Sequence, residues 1–304
     1  MDYLFTLLAT TGINIMLALG MHTVMSTGQL SLAQGAMFGI GAYVAALATT
    51  VYALPLWAGL LLGSAVAALV GALLGAVLLR LSHFYFAIAT LAFGELTRVF
   101  FLSFEWRIET PRGVVGPQGQ IGFQKIYYLA ENGVSVAEFA ILVWAILGAL
   151  FVFFAMLEGS RLGSAFRTVR DDQLVAAAMG LNATIIKITA FSLGSAVAAL
   201  GGGLYAHLTT FLLPGYFGFA RSFEALIYVA VGGMDTFIGA IVGAAFLTLV
   251  PESARFVQEY RMIVFGLLLI IVVLFRPRGI IDRDLLRQIT LWLRPRHAQR
   301  LPGH

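Results

Sequence analysis

Apolar runs of about twenty residues, separated by short polar breaks, restrict this sequence more than any other feature. They read at about 3–24, 31–51, 56–79, 84–104, 136–157, 188–208, 225–250 and 262–275. A helix needs roughly 20 apolar residues to cross the hydrocarbon core of a bilayer. Charged residues make up only 11% of the 304 and hydrophobic ones 60%, where a soluble domain carries about 25% charged. The expectation is an all-α, polytopic integral membrane protein with about eight membrane helices. Cysteine is absent, so there is neither a disulfide framework nor thiolate chemistry. Met1 and Asp2 precede the first run without a basic segment, so no cleavable signal is expected.

One stretch breaks the apolar pattern. Glu158 to Lys187 holds Arg161, Arg167, Arg170 and Lys187 against Glu158, Asp171 and Asp172. It is longer than a turn between spans requires and too poor in core residues to be a domain. Leu162, Phe166 and Val169 fall at i, i+4 and i+7, which predicts one short helix with an apolar stripe. Asp171 or Asp172 can cap a second short helix, and Gly180 suits the position just past its end. Two short helices exposed at a membrane surface make a docking platform; an amphipathic loop lying in the lipid interface is the plainer alternative.

Within the runs, polar residues are few enough to name. The second carries Gln29 and Gln34 among Gly28, Gly35, Gly39 and Gly41, with Gly35 and Gly39 in GxxxG spacing. The fourth carries Glu95 and Arg98 at i and i+3, on one helix face. Ionisable groups in a membrane cost a few kcal/mol and turn toward protein or a water-filled path. The pair either lines a translocation path or is a structural ion pair near the membrane end of its helix. Residues 105–135 read as a Gly- and Pro-rich loop. The run 225–250 is interrupted by Gly232-Gly233-Met234-Asp235-Thr236, and residues 277–304 form a basic tail.

Parity then constrains topology. The insert and the tail are the most basic segments, so both are expected in the cytoplasm, with an even number of crossings between them. Three runs lie between. Breaking 225–250 at its Gly-Gly-Met-Asp-Thr centre into a hairpin of half-helices, entering and leaving on one side, restores parity; such elements are tolerated where they are buried in protein or line a cavity. The N-terminus then falls outside and the C-terminus in the cytoplasm. Gln34, Glu95, Arg98, Gly232, Gly233 and Asp235 are the path candidates.

Catalytic constellations do not stand out. The five histidines are scattered and no nucleophile elbow is present. A phosphate-binding loop needs a lysine after its glycines, and neither Lys125 nor Lys187, the only lysines, follows one. The chain is therefore expected not to be an enzyme, to carry no cofactor or metal site, and not to hydrolyse ATP by that route. If ATP drives it, partner subunits must hydrolyse the nucleotide.

Several motifs resemble those of the permease subunits of branched-chain amino acid ABC importers, in particular the LivM-like member of the permease pair. They are Thr27-Gly28-Gln29-Leu30-Ser31-Leu32, Phe86-Ala87-Ile88-Ala89-Thr90-Leu91-Ala92-Phe93-Gly94-Glu95, the insert Gly163-Ser164-Ala165-Phe166-Arg167-Thr168-Val169-Arg170-Asp171-Asp172, Gly232-Gly233-Met234, and Phe275-Arg276-Pro277-Arg278-Gly279. The external stretch Gly113-Val114-Val115-Gly116-Pro117-Gln118-Gly119 departs from the family's pattern. The resemblance implies one permease domain over 1–304 with a cytoplasmic coupling loop at 158–187, in which Gly163, Arg167, Arg170, Asp171, Asp172 and Gly180 belong to the segment that contacts the ATPase. It implies a second homologous permease, two ABC ATPases and a periplasmic or lipid-anchored substrate-binding protein as partners, in a bacterial or archaeal inner membrane, with no nucleic acid. It also implies alternating access for branched-chain amino acids. Related permeases for urea, short amides, small organic acids, sugars or nucleosides, and an ion-coupled secondary transporter, are the alternatives.

Overall fold

The computed structural model describes residues 2–81, 83–110, 113–253, 266 and 279–280. Its helices follow the apolar runs closely. They are α1 (Asp2–Met25), α2 (Gln34–Thr50), α3 (Leu56–Leu78), α4 (His83–Ser103), the short α5 (Tyr128–Glu131), α6 (Val136–Gly159), α7 (Arg161–Asp171), α8 (Gln173–Ala178), α9 (Ala183–Thr209), α10 (Phe219–Gly232) and α11 (Phe237–Ser253). Among the described residues, five helices are long and apolar enough to cross a membrane: α1, α3, α4, α6 and α9, or six if the bent pair α10–α11 counts as one span. The expected count of about eight is not reached there. α2 is only 17 residues long because residues 28–33 run non-helically before it, and the expected span at 262–275 and the tail at 277–304 lie outside the described residues.

α9 is the hub, packing along α1, α2 and α3. Lipid tails are as apolar as leucine, so small residues that admit close backbone contact hold such helices together. A side chain at Gly41 would collide with the Ala199 backbone, and one at Gly202 with the backbone of Phe38. Burial separates roles: 67% of the apolar window of α1 is buried, against 22% for α6, which turns most of its surface outward.

The bundle has two distinguishable ends. At one, residues expected to be loop form a three-stranded antiparallel sheet, β1 (Ile108–Thr110), β2 (Gly113–Pro117) and β3 (Phe123–Gln124), in that order. Phe123 bridges Leu212, tying the sheet to the segment after α9. The correction falls on the loop expected at 105–135, while the chain remains an all-α membrane protein in class. Glycines in β2 and its turn take positive φ, as at Gly116 and Gly119, and let the Gly- and Pro-rich segment fold back on itself. At the opposite end α7 and α8 follow α6.

α10 and α11 diverge by 113° at their break. The break lies at the insert end: Asp235 pairs with Arg170 of α7, and the Phe237 N–H donates to Glu158 Oε1 at 3.0 Å. From there α11 runs back until Glu252 meets the hydroxyl of Tyr3, at the start of α1. Its 17 residues extend about 25 Å at 1.5 Å per residue, so it is not the half-length element expected. α10 is the shorter arm and begins inside the bundle. The hairpin thus enters and leaves at the sheet end, with its apex against the insert. Ile280 lies at that apex, its N–H donating to the Val231 carbonyl.

Candidate functional site

Among the described residues, charged side chains from different elements meet in two clusters, apart from the local Glu105–Arg107 pair beside the sheet, and the fold determines which residues meet in each. The first is at mid-depth. Asn14 is near the centre of α1 and Glu95 near the centre of α4, and both touch the first turn of α10. Glu95 Oε2 accepts from Arg98 Nε at 2.7 Å while its Oε1 accepts from the Phe219 N–H at 3.1 Å. The carboxylate therefore caps the free end of α10, where the helix dipole favours negative charge. Gly218 leaves room for the pair, because a Cβ there would lie 2.9 Å from Arg98 Cδ and displace it. Glu95 lies just past the midpoint of α4, and Arg98 about one turn nearer the sheet end.

Beside it sits a cluster that sequence reasoning missed. Arg221 is fully enclosed, its Nη1 donating to Glu224 at 2.6 Å and its Nη2 to Asn14 Oδ1 at 2.7 Å. Its guanidinium lies over the rings of Phe38 and Tyr216, 4.8 and 5.0 Å from their centroids. Glu224 also accepts from the Tyr228 hydroxyl at 2.5 Å. The signal for it in the sequence is an Arg–Glu pair at i and i+3 directly before the apolar run 225–250. Gln34 lies at the adjoining start of α2, where the next residue's N–H donates to Ser222 Oγ at 2.8 Å. It is wholly buried, and neither atom of its amide meets a hydrogen-bond partner among the described residues.

The second place is the insert end. Ser160 caps α7 through the Gly163 N–H, and Gly163 packs on the carbonyl of Leu157, where a side chain would clash. Phe166 and Val169 are buried as expected, but Leu162 is exposed. Asp172, not Asp171, caps α8, accepting from the N–H groups of Leu174 and Val175. Gly180 follows the end of α8 at φ 78°, a left-handed value that glycine adopts without strain. Two arginines turn inward. Arg167 donates to the Glu158 carbonyl and to Ser164 Oγ, both at 3.0 Å, and Arg170 spans Asp171 at 3.3 Å and Asp235 at 3.0 Å. Facing away are the apolar Leu174, Val175 and Met179, exposed beside Asp171, Asp172 and Gln173.

The six path candidates therefore divide. Gln34, Glu95 and Arg98 come together at mid-depth around the start of α10, whereas Gly232, Gly233 and Asp235 lie at the hairpin apex beside the insert. Gly232 and Gly233 permit that apex, since a side chain on Gly232 would collide with Gly239 of α11. A separate groove of about 330 Å³ between α2, α3 and α4, lined by Tyr43, Val70, Phe93, Phe100 and Phe104 among others, presents only apolar surface and offers nothing to a charged solute.

Comparison with known proteins agrees with this architecture. Residues 3–273 match the family model described as branched-chain amino acid transport system / permease component. The chain is 33% identical over 291 residues to the high-affinity branched-chain amino acid transport system permease protein LivM of Salmonella typhimurium, covering 89% of this chain and 68% of that one. It is 32% identical over 289 residues, with the same coverage, to LivM of Escherichia coli. LivH of Escherichia coli is 29% identical over 158 residues, about half of each chain. No solved structure matches the chain. The chain belongs to the family of branched-chain amino acid transport system permease components, as a multi-pass membrane protein and not an enzyme.

Proposed function

We propose that this chain is the LivM-like permease of an ABC importer that moves branched-chain amino acids across the bacterial or archaeal inner membrane. A second, LivH-like permease would complete the path, two ABC ATPases would dock at the insert end and hydrolyse ATP, and a substrate-binding protein would deliver solute at the sheet end. The observation that carries this reading is the α7–α8 insert. It projects the apolar side chains of Leu174, Val175 and Met179 away from the bundle while Arg170 joins it to the hairpin apex through Asp235. Exposed apolar knobs next to charge suit a groove on a soluble partner, and a rigid link behind them would carry that partner's motion inward.

The basic character of the insert favours the cytoplasm. Because α1 starts at the end opposite the insert, where Tyr3 meets Glu252, that orientation puts the N-terminus outside. The 158–187 segment then acts as the coupling loop of one permease domain. Co-expression with the partner ATPases and the second permease, followed by leucine uptake into proteoliposomes with ATP enclosed, tests the reading. Uptake should require ATP and be lost when Leu174 and Met179 are both replaced by aspartate. Uptake by this chain alone, driven by an ion gradient, would overturn it.

A further inference from the structure

Three features meet at the start of α10 that a path wall alone does not require. The Glu95–Arg98 pair sits at mid-depth with side chains 37% and 32% exposed. Charge within a membrane-spanning helix does not face hydrocarbon without cost, so this face meets water or another subunit. Arg98 binds Glu95 through Nε alone, and its two Nη groups carry no hydrogen bond among the described residues. Directly beside the pair, Phe219 and Phe223 stack at 5.4 Å and are 41% and 44% exposed. Phe219 is joined to the pair through its own N–H on Glu95.

We propose that Glu95, Arg98, Phe219 and Phe223 form this chain's half of a binding site for an apolar amino acid in its zwitterionic form. The free Nη groups of Arg98 present the fork that binds a carboxylate through two parallel bonds. Glu95, one bond away, offers a carboxylate to the ammonium. A zwitterion carries both charges a few ångströms apart on no net charge, and so does the pair, so neither partner is left unneutralised when solute replaces water. The two phenylalanines stand where the aliphatic side chain would lie. The neighbouring Arg221–Glu224 pair does not serve in this way: its guanidinium is enclosed by Asn14, Glu224, Phe38 and Tyr216, which makes it the fixed wall behind the site.

This assignment rests on the permease reading and sharpens it. The test is equilibrium binding of radiolabelled leucine to the assembled permease–ATPase complex without its binding protein, alongside uptake by the same complex in proteoliposomes. Wild type should bind leucine, with isocaproate (no ammonium) and isoamylamine (no carboxylate) competing at least tenfold more weakly. Arg98→Gln should abolish binding, and Arg98→Lys, which keeps the charge but not the fork, should weaken it about tenfold. Glu95→Gln keeps one oxygen to cap α10 and should still lose leucine. Phe223→Ala should weaken leucine more than alanine. Absence of leucine binding to wild type at millimolar concentration overturns the site. So does normal leucine binding by Arg98→Gln, and if that variant also fails in uptake the path reading survives alone. Normal binding and normal uptake together overturn both. Dissociation of the permease pair, with unchanged leucine binding in what remains assembled, shows a subunit contact only and overturns the site.

Discussion

The mid-depth cluster and the insert-end cluster use the same residue types under opposite constraints. At mid-depth Arg221 donates through its two Nη groups to two acceptors, and its guanidinium lies over two aromatic rings. At the insert end Arg170 holds two carboxylates, Asp171 and Asp235, and is itself 24% exposed, against 2% for Arg221. A desolvated charge pair is strongly destabilising to break, at about 3–5 kcal/mol when one partner is removed. An exposed one is worth about 0–1 kcal/mol. The difference separates a part of the fold that must not move from a part that joins two elements while staying cheap to rearrange, and each expected outcome below tests that separation.

The largest effect is expected at Arg221. Arg221→Leu takes a donor from the buried Asn14 and from Glu224, which keeps the Tyr228 hydroxyl, and should cost about 1–3 kcal/mol, read as lost folded yield and a lowered Tm of the detergent-solubilised complex. Arg221→Leu combined with Glu224→Leu should recover much of that stability, because replacing both charges with apolar groups removes the unpaired one. Failure of the double variant to recover would mean that the pair contributes more than mutual neutralisation.

Arg221 also shows where sequence reading stops. The apolar runs predict the ends of α1, α3, α4 and α6 to within two residues, since each run is long and its flanks are polar. α10 begins at 219, six residues before its expected start, because its first turn is polar and depends on Asn14 of α1, some two hundred residues away, to be tolerable in lipid. Depth is likewise not written locally. Gly232-Gly233-Met234-Asp235-Thr236 announces a break but not which level of the bundle it occupies; the Arg170 and Glu158 contacts decide that. The insert was more legible, since the capping positions at Asp172 and Gly180 are short-range chemistry. The inward turn of Arg167 was not, because it depends on the carbonyl of Glu158 at the α6–α7 corner.

The next effect is functional, not structural. Asp235→Arg or Arg170→Asp should lower leucine uptake more than tenfold while changing stability by about 1 kcal/mol or less, with ATP hydrolysis by the complex retained. Exchanging the two charges, Arg170→Asp with Asp235→Arg, should restore a substantial part of the uptake. If the single variants instead unfold the protein, the insert end belongs with the fixed class and the contrast fails. If they leave uptake intact, the link between insert and hairpin does not carry coupling.

The smallest effects come from two helix caps that are chemically alike but at opposite ends. Ser135 opens α6 at the sheet end, its hydroxyl accepting from the Glu138 N–H while the Glu138 carboxylate accepts from the Ser135 N–H. Asp172 opens α8 in the insert. Removing such a cap costs about 1 kcal/mol, so Ser135→Ala and Asp172→Ala should each lower stability by a similar small amount, measured as a modest fall in Tm. Their consequences for transport should differ. α6 is a long helix whose first turn can fray without moving anything below it, so Ser135→Ala should leave uptake within twofold of wild type. α8 spans only Gln173–Ala178 and presents Leu174 and Val175, the two residues whose N–H groups Asp172 holds; uncapping it loosens the surface a partner must grip. Asp172→Ala should therefore reduce ATPase retention during purification and lower uptake several-fold. Equal uptake by the two variants would place α8 outside the coupling route and leave the Arg170–Asp235 link as its remaining support.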